Sequence, residues 1–187
     1  MKLRHWLLVA AVVLALASLF QWIYNWWRDH RQDENIITAA GQYGVDAALV
    51  KAVVWRESKF NSRARGAHGE IGLMQVGNDA ANEWAKAENI HLFFHRQLFD
   101  PEKNLLAGTW YLRKCLRRHQ NTDNPVPYAL ADYNAGRANT LRWSKGAAST
   151  NSVAFVSQID FPSTKNYVRA IMNRYEYYRP IFPPKKQ

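Results

Sequence analysis

One carboxylate in this chain stands in an unusual setting. Glu57 follows Val53 by four residues and Val54 by three, so on a helix it shares their apolar face. Burial penalises the charged form of a carboxyl and raises its pKa. A raised pKa is what a general acid needs near neutral pH. Spacing alone leaves a plainer alternative open: a glutamate at a helix end, turned to solvent or paired with Arg56 or Arg65.

The residues around Glu57 fall into ordered blocks. The first is Glu57-Ser58-Lys59-Phe60-Asn61, and the second is Gly69-Glu70-Ile71-Gly72-Leu73-Met74-Gln75-Val76. Asn104, Gly108 and Tyr111-Leu112 follow, and then Ala129-Leu130-Ala131-Asp132-Tyr133-Asn134-Ala135-Gly136. Any one of these is weak, since Tyr-Asn-Ala-Gly also suits a plain helix stop. Together and in this order they resemble the catalytic domain of the soluble-type (SLT, family 1) lytic transglycosylases. The resemblance covers about residues 35–178.

It implies a mostly α, goose-lysozyme-like fold with Glu57 at a helix end facing a glycan cleft. The implied reaction cuts the β-1,4 bond between N-acetylmuramic acid and N-acetylglucosamine in peptidoglycan. Glu57 protonates the leaving oxygen, the muramoyl acetamido carbonyl stabilises charge at C1, and the C6 hydroxyl closes onto C1. The product is 1,6-anhydro-N-acetylmuramic acid, and no metal or organic cofactor is implied. Ser58 would cap or orient the helix end. Gln75 would hydrogen-bond substrate, while Met74 suits the core. Tyr133 would bring its hydroxyl near the Glu57 carboxyl, Asn134 would brace the loop, and Tyr167 would line the cleft or pack in the core. Glycines 66, 69 and 72 would let backbone approach the sugar or take positive φ.

Most glycosidases need two carboxylates. Glu70 and Asp132 sit inside the blocks, but at positions the family does not require to be acidic, so neither matches the case for Glu57. The chain also departs from the family pattern. Ser163 stands where a Glu is expected and Lys165 where an Arg is. Gly77 replaces a common Met, and Gly66 replaces a Ser that often precedes the glycine loop. These changes touch subsite contacts more than reaction type.

Helices must position these residues. Patterns at helical spacing run over about 35–43, from an Asp46 cap through Glu57, and over about 76–86. Asp100-Pro101-Glu102 is a strong start for a helix to about His119. Two more span Pro125–Ala135 and Ser163–Tyr178. Strand signals are few. The expected organisation is an N-terminal membrane segment over 1–27, a polar linker over 28–34, one catalytic domain over 35–178, and a frayed tail over 179–187.

The N-terminal segment is uncharged from Trp6 to Trp27, close to the roughly 20 residues a membrane helix requires. Trp22, Tyr24, Trp26 and Trp27 form an aromatic belt at its far end. An uncleaved anchor in the inner membrane, with the catalytic domain in the periplasm, is the expectation. The competing reading is a signal peptide cut after Ala15-Leu16-Ala17.

The net charge of +10 favours an anionic partner. No nucleic-acid motif accompanies it, so a wall polymer or lipid headgroups rank above nucleic acid. The single cysteine, Cys115, excludes an intramolecular disulfide and a Cys-based zinc site, and its place between Leu112 and Leu116 suits burial. Three rival functions remain: a hydrolytic muramidase using the same cleft, a non-catalytic glycan-binding scaffold of a secretion or cell-wall assembly, and a basic membrane-surface protein with no glycan role. The last leaves the order of the blocks unexplained.

Overall fold

The computed structural model describes residues 2–183. The chain divides into two units, Met1–Gln32 and Asp33–Gln187. The first is essentially one helix, α1 (Lys2–His30), with 29 residues and no glycine or proline to interrupt it. At 1.5 Å per residue it is about 43 Å long. It is long and apolar enough to cross a membrane, and the side chains of its apolar stretch are exposed. A signal sequence has the same length and composition, so the helix itself does not choose between anchor and leader.

The expected linker over 28–34 is much shorter in the structure. The helical run of α1 carries through His30, and α2 (Asp33–Tyr43) already begins at Asp33. Only Arg31 and Gln32 form a turn between them. Asp33 and Glu34 explain the early start, because acidic side chains favour the positive end of a helix.

The second unit is all helix and loop. After α2 come α3 (Ala47–Ser58), α4 (Asn78–Ala87), α5 (Pro101–Arg118), α6 (Pro125–Ala135), α7 (Arg137–Trp143), α8 (Ser152–Gln158) and α9 (Pro162–Tyr178). Short 3-10 turns lie at His95–Phe99 and Gly146–Ser149. Among the described residues the only β features are two isolated bridges, Arg65 with Ile71 and Ile71 with Val76. Helix α3 packs chiefly on α9, α5 on α6 and α2, and α6 on α9.

Helix α3 runs through the middle of the core. Every residue from Ala48 to Val54 is buried, as expected of a helix with neighbours all round. Asp46 caps its start, accepting from the Ala48 N–H at 2.8 Å. The other expected starts have the same chemistry: Asp100 accepts from Lys103 N–H at 3.0 Å, and Asn124 from Val126 N–H at 3.1 Å.

Lys51 is buried inside this helix and ties the chain end to the core. Its ammonium lies 2.5 Å from Asp33 Oδ1 and sits over the rings of Tyr178 and Phe182, at 5.3 Å and 4.2 Å. Phe182 is buried as a result, so the segment after α9 packs rather than frays at that point. The expected tail residues 184–187 lie outside the described residues.

Candidate active site

Glu57 occupies the last turn of α3, and the chain leaves that helix under strain. Lys59 and Phe60 both have positive φ, 52° and 63°, although neither is glycine. Such conformations cost of order 1–3 kcal/mol each and persist only where the surroundings impose them. Phe60 is fully buried, which supplies that constraint. The reversal fixes the helix end, and with it the carboxyl.

The Glu57 carboxyl is part-buried and has a specific partner. Tyr167 of α9 donates its hydroxyl to Glu57 Oε1 at 2.5 Å. Burial raises the carboxyl from its ordinary 4.5 to about 7, against the lowering pull of Tyr167 and of the Arg56 charge; the negative charge of Glu70 adds to the rise. The open alternative of a solvent-facing glutamate is therefore not what the chain adopts. Arg56 itself lies over the Tyr167 ring, 5.3 Å from its centre.

The loop from Ala64 to Val76 carries the second block. It is tied by backbone bonds from Gly66 N–H to Glu70 O at 2.7 Å, Gly72 N–H to Ala64 O at 2.9 Å, and a reciprocal pair between Ile71 and Val76. Asn104 of α5, fully buried, fastens this loop from behind. Its Oδ1 accepts from Met74 N–H at 2.8 Å, and its Nδ2 donates to the Ile71 and Leu98 carbonyls at 2.8 and 2.9 Å. Gly72, at φ 80°, lies so close that a Cβ there would fall 2.1 Å from Asn104 Nδ2. Gly108 makes equal room for the Met74 side chain. The spaced Asn104 and Gly108 of the sequence are thus a clamp on the Gly-Leu-Met-Gln turn.

Tyr133, expected to bring its hydroxyl near the Glu57 carboxyl, lies within reach of that charge but bonds elsewhere. Its hydroxyl donates to Met74 O at 2.9 Å, so it braces the turn and is not the group bonded to Glu57. The hydroxyl that reaches the carboxyl belongs to Tyr167. Tyr133 remains near enough that the Glu57 charge, after burial, helps push its own pKa well above 10.

A cavity of about 370 Å³ opens beside this arrangement, lined by Glu70, Gln75, Asn78, Asp79, Tyr111 and Tyr133 among others. Glu57 does not line it, but Glu70 and Tyr133, which both feel the Glu57 charge, do. Gln75 takes φ 47°, and its Nε2 donates to Gly72 O at 2.9 Å, which holds the amide on the cavity wall.

The other expected contacts are more distant from the cavity. Ser58 donates its hydroxyl back to Val54 O at 3.2 Å, within its own helix. Asn134 accepts from the Thr164 hydroxyl at 2.9 Å, joining α6 to α9. Neither lines the cavity. Lys165, where the family pattern has Arg, donates to Ser157 O at 2.9 Å and ties α9 to α8.

Of the other acidic residues in the blocks, Asp132 is fully buried and accepts from Arg118 at 3.0 Å and lies 3.3 Å from His119. Burial alone would raise its pKa, but those two partners more than offset this and hold it below the usual value. Asp132 is thus a structural anion. Glu70 is different: half-buried, in the cavity wall and electrically coupled to Glu57. Nothing in the family pattern calls for an acid at this position, so the sequence does not mark Glu70 as functional. Its only sequence signal was the substituted glycine at 66.

A model of the transglycosylase SLT domain matches residues 34–156. The chain belongs to the transglycosylase SLT domain family. Among the relatives of this SLT domain, the soluble lytic murein transglycosylase of Escherichia coli K12 is 33% identical over 137 residues, 72% of this chain and 21% of that protein. The membrane-bound lytic murein transglycosylase C of Edwardsiella ictaluri is 32% identical over 127 residues, 62% of this chain and 34% of that protein. The SLT domain therefore spans about a fifth to a third of these relatives' length. In three dimensions it matches the lytic transglycosylase Slt of Pseudomonas aeruginosa, solved as an inactive Glu-to-Gln mutant, with a TM-score of 0.72, 26% identity, and coverage of 83% of this chain and 25% of that one. The expected mostly α lysozyme-like fold is thereby borne out. The family match stops at residue 156, whereas the hydroxyl bonded to Glu57 comes from residue 167.

Proposed function

We propose that this chain is a peptidoglycan lytic transglycosylase in which Glu57 serves as both acid and base. The observation that carries this reading is the Glu57 carboxyl itself: part-buried, raised to about 7, held by Tyr167, and within electrical reach of Glu70 and Tyr133 in the cavity wall. With Oε1 accepting from Tyr167, the acid proton resides on Oε2. It passes to the glycosidic oxygen as the C1–O bond between N-acetylmuramic acid and N-acetylglucosamine breaks. The carboxylate then takes the proton of the C6 hydroxyl while that oxygen bonds to C1, which restores the acid and leaves a 1,6-anhydro end. A tethered hydroxyl has a high effective molarity, so it competes well against water. Gln75 would hold the sugar from the cavity wall. Ser58, Tyr133 and Asn134 would act through the helix end, the Met74 carbonyl and the α6–α9 junction.

Digestion of purified peptidoglycan in ¹⁸O water tests the reaction. The expected products end in 1,6-anhydro-N-acetylmuramic acid without solvent oxygen. Reducing ends carrying ¹⁸O would make the enzyme a muramidase, a reading that the Glu70 carboxylate near Glu57 keeps in play. No new ends would favour a glycan-binding scaffold.

We further infer that α1 remains uncleaved and holds the domain at the periplasmic face of the inner membrane. Its support is the length and apolar composition of the helix and the resemblance to a membrane-bound relative. N-terminal sequencing of membrane-extracted protein checks this. A mature chain beginning near Ser18 in the soluble periplasm would refute it.

A further inference from the structure

Gly66 and Glu70 fit each other. A Cβ on Gly66 would fall 2.3 Å from Glu70 Oε2, 2.9 Å from Gln75 Oε1 and 3.1 Å from Glu70 Cβ. Any side chain at 66 would therefore displace the Glu70 carboxylate or the Gln75 amide. Gly66 does not have the positive φ of Gly69 and Gly72, so backbone freedom is not what its position uses. What it provides is space. The carboxylate in that space is also oriented, because Glu70 Oε2 accepts from His68 N–H at 3.0 Å. Glu70 carries this carboxylate in the cavity wall beside Gln75 and Tyr133.

We propose that Glu70 is a second functional carboxylate of this cleft, seated on Gly66, and that it acts as a positioning residue on the proton of Glu57. The proposal rests on the reading of Glu57 as the acid and base. Beside burial, three groups act electrically on Glu57: Tyr167 on α9, Arg56 on its own helix and Glu70 on the loop, while Tyr133 on α6 in turn feels the Glu57 charge. Arg56 and Tyr167 favour the ionised carboxyl, and Glu70 opposes them. The titratable residues of the cavity lining are Glu70, Asp79, His68, Tyr111 and Tyr133, with no lysine or arginine among the described residues there. Glu70 thus helps keep Glu57 protonated before the bond breaks, while Gly66 keeps Glu70 in place.

The experiment is an NMR titration of the Glu57 carboxyl in the full chain, using ¹³C-labelled glutamate, with Glu57→Gln to assign the signal. It needs no turnover, so its failure is distinct from failure of the proposed reaction. Glu70→Gln should move the Glu57 midpoint to lower pH. Gly66→Ala, which displaces the carboxylate, should move it in the same direction. Combining the two should give little further shift of the Glu57 midpoint, because the charge that the alanine displaces has already been removed by the glutamine. The alkaline limb of kcat/KM on peptidoglycan should follow the same order. A Glu57 midpoint unchanged in both single variants would overturn the proposal. So would a purely additive double variant, or variants that lose melting temperature while the titration stays in place.

Discussion

A carboxyl kept protonated by burial must weaken the fold at the pH where it finally ionises, and this offers a test of the site that needs no substrate. Glu57 ionises near 4.5 in the unfolded chain and near 7 in the folded one. Below pH 4.5 both states hold the proton and there is no effect. Between 4.5 and 7 the unfolded chain releases its proton while the folded chain keeps it, so stability falls as pH rises. Above 7 both are ionised and the penalty is constant. A rise of this size corresponds to about 3 kcal/mol, and solvent screening of a part-buried group reduces that to about 1–3 kcal/mol. Glu57→Gln retains an oxygen to accept from Tyr167 and removes the charge. The variant should therefore match the wild type at pH 4, and exceed it by about 1–3 kcal/mol at pH 8. Urea denaturation at both pH values measures the difference. Equal stability at pH 8, or a gain at pH 4 as large as at pH 8, would mean that Glu57 is not held protonated by burial.

Other variants separate catalysis from support. Glu57→Gln should lower kcat on peptidoglycan by about 10⁴-fold or more, since one group serves both half-steps. Tyr167→Phe loses a hydrogen bond to the carboxyl, about 1.5–3 kcal/mol, and should slow kcat by about tenfold or more. Because that bond lowers the Glu57 pKa, its loss should move the alkaline limb to higher pH, the opposite of Glu70→Gln. Asn104→Ala removes three buried hydrogen bonds, to Met74 N–H and to the Ile71 and Leu98 carbonyls, of which Ile71 keeps its bond from Val76, and should cost about 3 kcal/mol in denaturant melts. Lys51→Ala leaves Asp33 without its buried cation and should cost about 3–5 kcal/mol, with faster proteolysis of the segment around Phe182.

The helices were legible wherever a cap or a long apolar face announced them. Asp46 and Asp100 each accept a first-turn N–H, and the helices they open fall where their signals placed them. The short helices α7 and α8 carry seven residues each, too few for periodicity to register. The early start of α2 was hidden because Arg28 to Glu34 read as polar linker, while a helix exposed to solvent tolerates such residues. Glu57 was found because its face and its block agreed. That Tyr167 supplies the hydroxyl bonded to Glu57 was not legible. Tyr133 and Tyr167 are both on helices, and which hydroxyl meets the carboxyl depends on the packing of α3 against α9, a contact between residues 110 positions apart.

That long-range bond also bears on how a single acid can be tuned. Residues close in sequence to Glu57 do little to set its proton affinity: Arg56, its neighbour, pulls it down, yet the carboxyl still rises to about 7. The rise comes from desolvation, and desolvation is a property of the assembled core. The strained turn at Lys59 and Phe60 pins the helix end, and α9 covers it. Tyr167 then bonds one carboxyl oxygen without supplying a charge. A lysine or arginine in its place would hold Glu57 ionised, as Arg118 holds Asp132, and the acid step would have no proton to give. A neutral donor orients the carboxyl and leaves it able to cycle between acid and base near pH 7. The opposing charge of Glu70, on a loop clamped by Asn104, then biases that cycle. The site therefore depends on the turn at Lys59 and Phe60, the packing of α9 and the charge of Glu70 together. Loosening any one of them should show in the titration of Glu57 before it shows in the fold.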